Sequence, residues 1–117
     1  MRKTVRAQLP SNAVADSETA LGYLVSLDGW DLFGEGRHTG SPEVVQQNLT
    51  RRAGWGLHAV QAHTVITAGH TGLNEGVGTQ LEFLVADLLH LCDALGMDFE
   101  QVTEQARVHY DGDITIY

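Results

Sequence analysis

One cysteine, seven basic residues and no long apolar run in 117 positions each exclude something. Cys92 alone cannot close an internal disulfide, so the fold must hold by packing, and a reducing compartment suits it. Its place in the most apolar stretch of the chain reads as a buried, inert thiol rather than a nucleophile. No segment approaches the roughly 20 apolar residues that span a bilayer. Arg2, Lys3 and Arg6 are followed by Gln8, Pro10, Ser11 and Asn12 where a secretory signal needs an apolar core. The expectation is a soluble, cytoplasmic protein without a membrane partner.

Basic charge is scarce where acid is dense. Residues 1–52 balance Arg2, Lys3, Arg6, Arg37, Arg51 and Arg52 against Asp16, Glu18, Asp28, Asp31, Glu35 and Glu43. Residues 53–117 set Arg107 alone against Glu75, Glu82, Asp87, Asp93, Asp98, Glu100, Glu104, Asp111 and Asp113, so the whole formal charge of −8 lies there. Nucleic-acid affinity comes largely from cations that displace counterions at phosphates, which argues against direct nucleic-acid binding. An acidic surface suits either solubility or docking on a basic protein. Glu100, Glu104, Asp111 and Asp113 are the partner-binding candidates.

What is present is helical periodicity. Leu81, Leu84, Leu88, Leu91 and Leu95 recur every three or four residues, and Val85, Leu89 and Cys92 widen the stripe. Gly96 suits a left-handed helix stop, and Asp98, with Gln101 three residues on, suits the start of another helix. In that second helix Phe99, Val102, Ala106 and His109 or Tyr110 share a stripe, whereas Glu100, Glu104 and Arg107 lie elsewhere. The expectation is a packed helical hairpin. Upstream, Ser41-Pro42-Glu43 opens a helix with a capping hydroxyl, a proline at the first turn and an acid at the dipole. A face of Val45, Leu49, Arg52/Ala53, Gly56, Val60 and His63 to Ile66 carries that helix to near Gly69. Gly54 and Gly56, each costing about 1 kcal/mol relative to alanine, either break it or admit a close neighbour. Gly69, Gly72, Gly76 and Gly78 mark a polar connection, the most mobile segment expected.

The N-terminal forty residues are less legible. Lys3–Leu9 and Gly112–Tyr117 lean towards extended structure, and residues 17–33 read either as a hairpin turning at Asp28-Gly29 or as a helix capped by Ser17. There is no internal repeat. The expected architecture is mainly α, a bundle of three or more helices with a small N-terminal extended (β) element. Residues 1–40 would form the extended element and loop, and residues 41–117 the helical bundle of a single domain.

The run LVADLLHLCDALGMDFEQVTEQARVHY resembles a segment of uncharacterised phage, plasmid and mobile-element proteins. Leu84, Ala86, Asp87, Leu88, His90, Cys92, Asp93, Ala94, Gly96, Asp98, Phe99, Ala106, His109 and Tyr110 fit the pattern, and Val102 replaces a commoner alanine. Arg51, Arg52, Ala53 and Trp55 resemble the preceding helix. The resemblance spans roughly residues 50–110 and implies an origin on a mobile element rather than an activity. A weaker similarity is to all-α pyrophosphohydrolases of the MazG type, which bind magnesium through carboxylates on adjacent helices. Glu82 and Asp87 stand for half of that acidic motif, but no acid lies between Glu43 and Glu75 to supply the other half.

Six histidines raise a metal site, for which Glu82, His90 and Asp93 on one helix face are the candidates. No HExxH, paired Cys/His spacing, GxSxG or phosphate loop supports that chemistry, and hydrogen-bonding or capping roles read better for His90, Asp87 and Asp93. The expectation is therefore a protein without a cofactor that acts by binding: an accessory protein of a mobile element, inhibiting a host enzyme or defence complex through its acidic half. The alternatives are a metal-dependent pyrophosphohydrolase and a self-associating structural module, a homo-oligomer. Trp30, Phe33, Trp55 and Phe83 are anchors for an interface wherever they are exposed.

Overall fold

The computed structural model describes residues 3–7 and 40–116. The hairpin-or-helix question over 17–33, with Trp30 and Phe33, lies outside these residues. The described elements are β1 (Lys3–Thr4), α1 (Pro42–Ala68), a 3₁₀ turn (His70–Asn74), α2 (Val77–Leu95), α3 (Phe99–Ile114) and β2 (Thr115–Ile116). The fold is mainly α, as expected, with the extended element at the N-terminus.

Local chemistry sets the helix ends. The Val44 N–H donates to Ser41 Oγ at 3.3 Å, with Pro42 in the first turn. Gly69, at φ +72°, stops α1. Between these caps α1 runs unbroken for 27 residues, through Gly54 and Gly56. The break that those glycines suggested does not occur. Burying Leu57, Val60 and Thr64 just beyond them outweighs about 1 kcal/mol per glycine. Gly56 itself is exposed, so Leu57 takes the place expected for it on the buried face, and Ile66, expected on that face as well, is 84% exposed.

The connection at 69–78 contains a turn of 3₁₀ helix and the start of α2. Its 3₁₀ turn buries Leu73 and closes with Gly72 N–H to the Gly69 carbonyl and Glu75 N–H to the Gly72 carbonyl, both at 3.1 Å. At the next corner Gly96 is left-handed (φ +68°, ψ +26°). Its N–H donates to the Asp93 carbonyl and the Met97 N–H to the Cys92 carbonyl at 2.9 Å, a Schellman closure. Asp98 Oδ1 then accepts from the Glu100 N–H at 2.9 Å and opens α3.

Both later helices attach to α1, at opposite ends of it. At the first end β1 and β2 pair antiparallel, Lys3 with Ile116 and Thr4 with Thr115. The Val5 N–H extends the ribbon to the Ile114 carbonyl at 2.7 Å. Val5, Val45, Leu49 and Ile114 pack beneath it, and Arg52 Nη1 meets Asp113 Oδ2 at 2.7 Å. At the far end Thr64 bonds Gln80 and His63 bonds Asp87.

The packed hairpin is not formed. α2 and α3 meet only around their corner and do not lie along each other. Because the β ribbon and Arg52 hold the end of α3 beside the first half of α1, while α2 leaves from the last turns of α1, the three helices enclose an open angle. The 19 residues of α2 bury only Gln80 and Cys92, and the 16 of α3 bury only Ile114.

Candidate functional site

The described surface offers three places where chemistry could gather: the imidazole and carboxylate groups of α2, a groove beside β1, and the outer faces of α2 and α3.

On α2, the expected metal candidates Glu82, His90 and Asp93 are all exposed. They share one side of the helix, but Glu82 and Asp93 stand eleven residues apart, about 16 Å of rise, too far for one ion. Among the described residues no group of three or more His, Cys, Asp or Glu side chains is placed to hold a metal. Asp87, the other half of the acidic pair, accepts His63 Nε2 at 2.5 Å, and it lies about 140° around the helix from Glu82. The structure therefore uses Asp87 as a tie between α1 and α2. His63 is mostly buried and its Nδ1 has no partner, so that single bond holds the ring. Cys92 is buried, as its surroundings in the sequence implied.

The groove, about 480 Å³, is lined by Lys3, Arg6 and Glu43 together with Thr4, Pro42 and Gln46. It contains one carboxylate, Glu43, and no imidazole or thiol.

The third place is the surface itself. Every residue of α3 from Glu100 to Gly112 is exposed. At 100° per residue, Glu100, Glu104 and Asp111 fall within an arc of about 40°, on the opposite side from Phe99, Val102 and Ala106. Arg107 enters the same stripe, but its guanidinium lies over the Tyr110 ring, 5.3 Å from the centroid, a cation–π placement that draws it aside. Asp113, the fourth expected partner-binding acid, points the other way, to Arg52, and only 17% of its side chain is exposed. Three of the four acids thus form an outward stripe, while the fourth serves the fold.

Beside this acidic stripe stand apolar side chains that sequence reasoning placed in a core. Leu81, Leu88, Leu91 and Leu95 of α2 are between 39 and 63% exposed, and Phe83 and Met97 are equally open. Trp55 also meets the condition set for an interface anchor, at 39%. The leucine stripe was legible in the sequence; its exposure was not, since periodicity shows that a face needs cover without showing what covers it. No helix is long and apolar enough to cross a membrane among the described residues.

No family model matches the chain, and neither a curated protein nor a solved structure does.

Proposed function

We propose that this chain is a non-catalytic accessory protein that works by docking on a basic protein surface, in the manner of an inhibitor of a host enzyme or defence complex. The observation that carries this reading is the outward acidic stripe of α3: three carboxylates on an exposed helix face, free of the core and of the neighbouring helix. Such a stripe raises association rates with a cationic partner and favours it over acidic competitors. The resemblance of residues 50–110 to mobile-element proteins supports the biological setting.

The experiment is capture of basic proteins from bacterial lysate on the immobilised full chain, followed by titration of the captured protein at low and high ionic strength. Binding should weaken steeply with salt, and Glu100→Lys with Glu104→Lys should weaken it at least tenfold at low salt. Affinity indifferent both to salt and to the double charge reversal would sink the proposal.

A further inference from the structure

We infer that the leucine face of α2 is a homodimer interface, and that its occupant is α2 of a second copy of this chain. Leu81, Leu84, Leu88, Leu91 and Leu95 alternate at spacings of three and four, the a and d positions of a heptad seam, and this seam is self-complementary: identical ridges interdigitate as knobs into holes. Among the described residues the seam is left largely uncovered, because α1 meets α2 on its polar flank, through Gln80 and Asp87. Only Leu84 among the five is half-buried, and the other four are open to solvent.

Two observations favour a second copy over a foreign partner. The seam holds no ionisable group, and the one acid flanking it, Asp87, is engaged by His63, so two chains of net charge −8 can meet there without opposed carboxylates. A basic partner would instead be drawn to the outer stripe of α3, which does not include the seam.

In such a dimer the seam residues are the anchors and the two α3 stripes stay exposed, giving a basic partner two equivalent docking faces. The dimer itself does not depend on that partner.

The test is sedimentation equilibrium of the full chain across a hundredfold range of concentration. The expected species is the dimer, about twice the mass of the chain, dissociating on dilution. Leu88→Asp, alone and with Leu95→Asp, should raise the dissociation constant at least a hundredfold, because the carboxylates become buried without partners. The helical circular dichroism of the dilute monomer should not change, since both side chains are exposed in the single chain. Glu104→Lys should leave the mass unchanged. A single-chain mass at every concentration overturns the inference, as does a dimer that persists in the double aspartate variant. Loss of salt-dependent docking with dimerisation intact would defeat only the proposed function.

Discussion

The Thr64 hydroxyl, in the last turns of α1, donates to Gln80 Oε1 at 2.9 Å, and the Gln80 amide group donates in turn to the carbonyls of Glu75 (2.7 Å) and Leu73 (3.3 Å). One side chain, 2% exposed, therefore ties α1, the 3₁₀ turn and the first turn of α2 together. It ties down a stretch rich in glycine: two of its carbonyls, and a buried hydroxyl, share a single donor–acceptor group.

Replacing that group should be costly. Gln80→Leu keeps the approximate volume but leaves the Thr64 hydroxyl and two carbonyls without their partner, and each buried unsatisfied group costs about 1–3 kcal/mol. We expect a loss of about 2–4 kcal/mol in urea unfolding, with accelerated amide exchange at Leu73–Gly78. Pairing Gln80→Leu with Thr64→Val should recover part of it, since a matched apolar pair leaves the hydroxyl site without orphans.

Two glycines should respond with opposite signs. A Cβ at Gly72 would lie 2.9 Å from both Ala68 Cβ and Thr64 Cγ2, so Gly72→Ala should destabilise by about 1–3 kcal/mol through overpacking. A Cβ at Gly56 meets nothing within 4 Å, and the residue sits inside a helix. Gly56→Ala should therefore stabilise by about 0.5–1 kcal/mol. Thermal midpoints of the two variants moving in the same direction would contradict the packing described for α1.

The splayed placement of α3 has its own test. Ile114 is 8% exposed and packs with Val5, Val45 and Leu49. Ile114→Ala should cost about 2–4 kcal/mol. Asp113→Ala, which removes a partly exposed ion pair, should cost no more than about 1 kcal/mol. Hydrogen exchange should show Asp111–Thr115 deprotected in the isoleucine variant while the α2 amides keep their protection. Equal deprotection of both helices would mean that α2 and α3 are held by each other, contrary to the open angle between them.

Elements that depend on near neighbours were legible in the sequence. Ser41, Gly69, Gly96 and Asp98 each act on groups within a few residues, and all four ends lie where their side chains, or their lack of one, put them. The extended lean of both termini likewise anticipated the ribbon, although among the described residues of the C-terminal run only Thr115 and Ile116 are strand and Gly112–Ile114 finish α3. The continuity of α1 through two glycines was not legible, because propensity counts the cost of each glycine and does not count the burial of Leu57 and Val60 beyond them. Nor was the role of Gln80, a polar residue whose partners stand 5, 7 and 16 positions away.

By itself the sequence determined three helices, their caps at Ser41, Gly69, Gly96 and Asp98, and the existence of an apolar leucine face on α2, since 3.6-residue periodicity and capping act over short stretches of chain. Tertiary structure alone decided that α2 and α3 separate instead of pairing. The ribbon closes a loop of some hundred residues and the Arg52–Asp113 contact one of about sixty, and contacts of such span leave no periodic trace. The same long-range closure turned the leucine face outward, so a pattern that reads as core became surface.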